Sequence, residues 1–314
     1  MKKESIAQAD LTRSVISVPP LALNADFSLN EAENRRLIEW MHAGGVTTYL
    51  YGGNANLYNY GAADFPALLD MLERICPEDG WMIPSVGADY GKALDQLRLL
   101  RDRDFPTAMV LPLTFPSTSQ GLATGLRRLA DAYGRQLIAY IKTEDFLAPK
   151  DLAALFADGV LCSVKYAVVR EQPSHDPYLA ALVDAAGSDR IVSGIGERPV
   201  IDHVQGFGLT GFTSGSVCLA PRLSTAILHA LRDGEVEKAA QLREMFLPLE
   251  DLRDAHSPIR VLHAAVRLGG VADTGPMMPF LSELDDPAVL DRIAAAATAL
   301  RQADQSPAGA ALPV

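Results

Sequence analysis

The sequence predicts an α/β fold, a (β/α)8 TIM barrel with a C-terminal helical extension. Three observations lead there. Eight short, apolar, β-rich runs recur over the first 220 residues, helix-prone stretches lie between them, and beyond residue 221 the strands stop while helical patterning continues. A strand followed by a helical stretch, repeated, means parallel strands with right-handed crossovers. Eight such units fit a closed barrel better than an open doubly wound sheet.

The runs are SVISV (14–18), VTTYLY (46–51), WMIPSV (81–86), TAMVLP (107–112), QLIAYI (136–141), GVLCSVK (159–165), RIVSG (190–194) and LTGFT (209–213). They are apolar on both faces, as strands between a barrel core and outer helices must be. Between them, Ala93, Leu94, Leu97, Leu99 and Leu100, and then Leu122, Leu126 and Leu129, recur near helical spacing. Later helices are expected over 221–231, 235–253, 258–268 and 286–302, with Asp233–Gly234 and Gly269–Gly270 as breaks. The expected organisation is an N-terminal tail (1–12), the barrel (13–225), the helical extension (226–304) and a flexible tail (305–314).

Composition narrows the function. The chain of 314 residues carries a net charge of −11, which disfavours a generic grip on nucleic acid. Hydrophobic residues make up 48%, enough for a sizeable core. There is no run of 18 apolar residues, and the opening MKKESIAQAD has no apolar signal-peptide core. Cys76, Cys162 and Cys218 form neither a disulfide framework nor a metal-ligand pattern. The six histidines are dispersed without zinc spacing, so no metal is expected. A cytoplasmic setting is expected.

Active sites of such barrels lie at the C-terminal strand ends. Lys165 closes the sixth run, where an amine is kept from bulk water. Desolvation lowers the pKa of a lysine, and a neutral amine forms Schiff bases with ketones. The bland alternative is a lysine that snorkels past the rim. Tyr140 ends the preceding run, one strand spacing away, where a phenol can pass protons as the imine forms.

At these residues the sequence resembles the dihydrodipicolinate synthase / N-acetylneuraminate lyase family of class I aldolases, over residues 13–280. The parallels run in order: Val18–Pro19–Pro20–Leu21 at the first strand, YGGNAN (51–56) at the second, Pro112–Leu113–Thr114 at the fourth, Tyr140–Ile141 at the fifth and Val164–Lys165 at the sixth. Ser193–Gly194–Ile195 follows at the seventh, Gly208–Gly211–Ser214–Gly215 at the eighth, and Ser257–Pro258–Ile259 later. The resemblance implies that Lys165 forms an imine with pyruvate or a related 2-oxo acid while Tyr140 relays protons. It implies that Gly52, Gly53 and Asn54 hold the carboxylate, and that no cofactor beyond this covalent imine is needed. It also implies an aldehyde partner and a homotetramer or homodimer. Gly194, Glu197 and Ser214 are further candidate substrate contacts.

The chain departs from the family in places. Gly53 and Asn54 replace the family's threonine pair, and Asn56 its glutamate. Thr114 replaces the tyrosine lent across a subunit interface, leaving Tyr51, Tyr58 and Tyr60 as candidate substitutes. Asp145 stands where the synthases that act on an amino-aldehyde carry an arginine, beside Glu144. An acid there repels a second carboxylate, so a hydroxylated 2-keto-3-deoxy sugar acid is expected rather than a dianionic partner. Aldol cleavage and dehydration both draw on the same imine. The rival readings are the synthase proper, a non-catalytic 2-oxo-acid-binding relative and a phosphosugar enzyme. The literal G-x-G-x-x-G at 206–211 has a helix before it and a strand after it, the reverse of a dinucleotide site.

Overall fold

A computed structural model of the chain describes residues 1–4 and 6–306. Eight parallel strands form the inner ring: β1 (Ile16–Ser17), β2 (Thr48–Tyr51), β3 (Trp81–Val86), β4 (Ala108–Val110), β5 (Leu137–Ile141), β6 (Leu161–Tyr166), β7 (Ile191–Ser193) and β8 (Thr213–Ser214). β1 pairs with both β2 and β8. A single parallel bridge from Ser193 to Phe212 joins β7 to the segment entering β8 and closes the ring. All residues of β2, β3 and β5 are buried, because core side chains cover one face and outer helices the other.

A short helix α1 (Gln8–Arg13) precedes the first strand, all but its last residue in the stretch expected as a tail, and its Leu11 is fully buried. The outer helices are α2 (Glu31–His42), α3 (Phe65–Ile75), α4 (Tyr90–Leu100), α5 (Ser119–Tyr133), α6 (Pro149–Ala157), α7 (Pro177–Ala186), α8 (Val200–Phe207) and α9 (Pro221–Arg232). The barrel's last outer helix therefore runs past the expected boundary at 225. α3 shows why these stretches dock: Phe65, Leu68, Leu69, Leu72 and Ile75 share one buried face. Burying each contributes about 1.5–3 kcal/mol.

Side-chain caps start helices just beyond strand ends, and so shape the loops at the barrel mouth. Asp89 accepts from the Lys92 N–H after β3, Thr118 from Gly121 after β4, and Asp176 from Leu179 after β6. Asp176 also accepts the Tyr166 hydroxyl at 2.6 Å and pairs with Arg170 at 3.1 Å. That triple use pins the loop following β6.

The eighth strand lies later than LTGFT implies. Gly208 ends α8 in the left-handed conformation (φ 71°), so 209–212 are spent leaving the helix. The literal G-x-G-x-x-G thus spans the C-terminal end of a helix, not the N-terminal end at which a phosphate is cradled.

The extension is α10 (Val236–Glu244), α11 (Leu247–His256), α12 (Pro258–Leu268) and α13 (Pro287–Gln305). The single helix expected over 235–253 is two, because Pro248 lacks the N–H that a continuing helix needs. The break frees α11 to lie over the barrel mouth. Asp304, near the end of α13, accepts from the Leu223 N–H at 2.9 Å and ties the extension to α9. The tail expected over 305–314 lies outside the described residues from 307 on. Among the described residues no helix is long and apolar enough to cross a membrane.

Candidate active site

Parallel pairing sets the centre of the site. Tyr140 on β5 stands in register with Lys165 on β6. The Lys165 Nζ lies 3.8 Å from the centroid of the Tyr140 ring. Lys165 is 5% exposed. Burial pulls its pKa down to about 7, and the cations Lys142 and Arg253 push the same way. Burial holds the Tyr140 phenol above its ordinary value; the Tyr58 hydroxyl reinforces this and Arg253 opposes it. A desolvated amine beside a protonated phenol is what imine formation requires.

These two residues open on a cavity of about 260 Å³ at the C-terminal ends of the strands. Gly53, Asn54 and Gly194 line it. The Asn54 amide donates to the Val18 carbonyl at 2.8 Å, which fixes its orientation. Gly194 donates to the Tyr166 carbonyl at 2.6 Å, and a Cβ there would meet that oxygen at 2.5 Å. Only glycine lets the loop after β7 lie on the end of β6.

Three expected contacts lie elsewhere. Gly52 faces the barrel interior, where a Cβ would meet the Ser85 Oγ at 2.7 Å and the Met109 methyl at 2.9 Å. Glu197 is fully buried: the chain turns inward at Gly196 (φ 87°), and Ser224 on α9 donates to the Glu197 carboxylate at 2.6 Å. Burial and the neighbouring Glu250 carboxylate hold its pKa well above the ordinary range, while the hydroxyls of Ser214 and Ser224 moderate the rise. Ser214 is buried with it, its Oγ accepting from the Val217 N–H at 2.9 Å. Glu197 and Ser214 therefore form a support under the mouth and do not reach the cavity.

The cavity wall also holds residues the sequence did not single out. α11 contributes Glu250, Arg253 and Asp254, and the end of β5 contributes Lys142. Arg253 donates to Glu250 at 2.8 Å, and Ser216 hydrogen-bonds Glu250 from the strand side. Of the three candidate tyrosines, Tyr58 lines the cavity with Tyr140; burial pushes its phenol up to about 12. Tyr51 is buried and reaches Asn34, and Tyr60 lines a separate, far smaller hollow. Thr114 is exposed on the loop after β4. The acids expected to repel a second carboxylate do not line the cavity, and Glu144 is taken by Arg170 at 3.0 Å. The one available signal for α11 was Pro248, which marks where the helix over the mouth begins.

Comparison with known proteins bears on the sequence and the fold. No family model matches the chain. A protein named probable 5-dehydro-4-deoxyglucarate dehydratase from Rhizobium meliloti (strain 1021) is 23% identical over 282 residues, covering 86% of this chain and 90% of its own. Probable 5-dehydro-4-deoxyglucarate dehydratase 1 from Streptomyces avermitilis is 25% identical over 298 residues, covering 88% and 90%. Among solved structures, dihydrodipicolinate synthase from Bacillus clausii superposes with a TM-score of 0.79 at 19% identity, over 94% of this chain and 99% of its own. YagE from E. coli K12, a prophage protein of the dihydrodipicolinic acid synthase family solved with pyruvate, gives 0.77 at 19% identity, over 92% and 98%. The barrel with its helical extension is thus a fold shared with these structures. In sequence the chain is distantly similar to proteins named 5-dehydro-4-deoxyglucarate dehydratase, and in fold to dihydrodipicolinate synthase structures.

Proposed function

We propose that this protein is a Schiff-base-forming lyase that dehydrates a 2-keto-3-deoxy sugar acid. The observation that carries the reading is the in-register Tyr140–Lys165 pair, with the amine buried over the phenol ring. The relatives named 5-dehydro-4-deoxyglucarate dehydratase favour dehydration over aldol cleavage. They also revise the expectation of a singly charged substrate, because a glucarate-type acid carries a carboxylate at each end. The cavity suits such a dianion. Lys142, Lys165 and Arg253 line it against Glu250 and Asp254, and Asp254 is paired with Arg198 at 3.2 Å.

In this mechanism the Lys165 amine adds to the C2 ketone and water leaves to give an imine. Tyr140 carries protons to and from the departing oxygen. Loss of a C3 proton gives an enamine, which expels the C4 hydroxyl as water. Hydrolysis of the conjugated imine returns the lysine, so the net change is the loss of one water. No cofactor beyond this imine enters the scheme.

We take the assembly to be a homodimer or homotetramer. Phe115, 85% exposed on the loop after β4, and an apolar hollow of about 550 Å³ beside it form a surface for a second copy. Light scattering that returns a monomer would refute this.

The chemistry is tested by borohydride trapping. Incubation with pyruvate or a 2-keto-3-deoxy sugar acid, then reduction, should leave an adduct on the Lys165 peptide, and Lys165→Ala should leave none. Turnover by Lys165→Ala within tenfold of wild type would sink the assignment.

A further inference from the structure

The family's threonine pair is absent, so something else must hold the carboxylate next to the ketone. We propose that Arg253, reaching in from α11, is the principal anchor for that carboxylate, together with the backbone N–H groups of Gly53 and Asn54. The inference rests on the imine-forming reading of the same cavity and assigns a recognition role to a helix outside the barrel.

Four observations converge. First, Arg253 is buried and lines the cavity, yet its hydrogen bonds occupy only part of the guanidinium. Nη1 goes to Glu250 at 2.8 Å and Ser216 at 3.4 Å, and Nε goes to the Pro258 carbonyl at 3.4 Å. Nη2 donates to no protein acceptor among the described residues. Second, Nη2 stands beside Asn54 at the end of β8. A Cβ on Gly215 would lie 3.1 Å from the Arg253 Nη2 and 2.8 Å from the Asn54 Nδ2. Third, the backbone N–H groups of Gly53 and Asn54 likewise have no protein acceptor among the described residues, and both residues line the cavity. Fourth, the reacting amine of Lys165 lines the same cavity. Unpaired donors around one polar corner beside a nucleophilic amine form a carboxylate site next to a ketone site.

Glu250 fits this assignment as a positioning residue. It fixes one edge of the guanidinium and leaves the other edge to the ligand. A carboxylate bound at Nη2 would thus complete the donor set of Arg253 without displacing its protein partner.

The test compares two probes in borohydride trapping, pyruvate and methyl pyruvate, which differ in the carboxylate charge. In the wild type, pyruvate should half-saturate labelling of Lys165 at a concentration about 100-fold or more below methyl pyruvate. Arg253→Met should raise the pyruvate value towards that of methyl pyruvate and leave the methyl pyruvate value within about threefold. Arg253→Lys keeps a cation against Glu250 but loses the fork, and should raise the pyruvate value about tenfold. If Arg253→Met does not fold, Arg253→Lys decides alone. A pyruvate value within threefold of wild type in the folded variants overturns the proposal, as does an equal rise for both probes. If the wild type traps no adduct at all, it is the imine reading that falls. Calorimetric binding of pyruvate to wild type and Arg253→Lys then judges the anchor separately: weaker binding to the variant upholds it and equal binding overturns it.

Discussion

The buried amine should show itself in the pH dependence of imine formation. An ordinary lysine has a pKa of 10.5, whereas burial with help from Lys142 and Arg253 brings Lys165 to about 7. At pH 7 about half of the Lys165 side chains carry a free electron pair, against roughly one in 3,000 for an unperturbed lysine. The environment therefore raises the nucleophilic population by roughly 10³-fold. The rate of pyruvate imine formation, followed by stopped-flow or timed borohydride quench, should rise tenfold per pH unit below about 7 and level off above about 8. Lys142→Met removes the larger of the two neighbouring charges acting on the amine. Lys142 is exposed at the mouth, so solvent screening keeps the effect small, roughly half a pKa unit upward. A rate that keeps climbing through pH 9, or a midpoint unmoved in Lys142→Met, would refute the account. The same shift predicts a stability effect. The native pKa lies below the unfolded one, so wild-type stability rises with pH between about 7 and about 10.5. Lys165→Met should abolish that rise and be the more stable protein at pH 6, by up to about 5 kcal/mol. Equal melting temperatures at pH 6 and parallel profiles would show that the amine is not desolvated.

Three further outcomes follow from the geometry. Tyr140→Phe should lower turnover by about 10²-fold, the scale of a lost general acid–base group, while trapping on Lys165 persists at a reduced rate; unchanged steady-state kinetics would remove Tyr140 from the relay. Gly194→Ala forces a methyl group against the Tyr166 carbonyl, and should cut kcat about tenfold or more and lower the melting temperature; wild-type kcat would mean that the loop does not rest on β6 as described. Glu197 has a native pKa above its unfolded one, so its contribution is full at low pH and is lost as pH rises through the ordinary carboxylate range towards neutrality. Glu197→Gln should flatten that fall and raise the melting temperature at pH 8 relative to wild type, and thermal melts at pH 5 and 8 check it.

The barrel was legible because its strands are apolar on both faces and its helices on one, a contrast that survives in a bare sequence. Lys165 and Tyr140 were legible for a related reason: a strand end is a fixed address in a barrel, and a lysine there is conspicuous. What failed was the step from a strand-end position to a direction. Gly52 is adjacent to Gly53, yet in the turn that follows β2 one faces Ser85 and the other lines the cavity. Glu197 follows a strand-end turn but points down, because Gly196 adopts a positive φ that the sequence permits without announcing. Arg253 lies far along the chain from every strand, in a helix that reads as ordinary amphipathic surface. Its burial depends on α11 starting at Leu247, with Pro248 in its first turn, and crossing the mouth, a tertiary fact with no local periodicity of its own.

The cations that tune the lysine are also those that would receive the substrate, and this couples binding to chemistry. In the free protein, Arg253 and Lys142 disfavour a charged Lys165 and keep part of it nucleophilic. A carboxylate placed against Arg253 cancels part of that field. The amine is then easier to protonate, which opposes attack, but the imine nitrogen is also easier to protonate, and a protonated imine is the better electron sink. The arrangement therefore favours an uncharged nitrogen before the substrate's charge arrives and a charged nitrogen afterwards. Steady-state data should carry this signature. The acid limb of kcat/KM, which reports the free protein, should fall near pH 7, whereas the nitrogen that governs kcat should titrate at higher pH. Coincident limbs would mean that the bound carboxylate lies outside the field of Lys165, and would place its anchor away from Arg253.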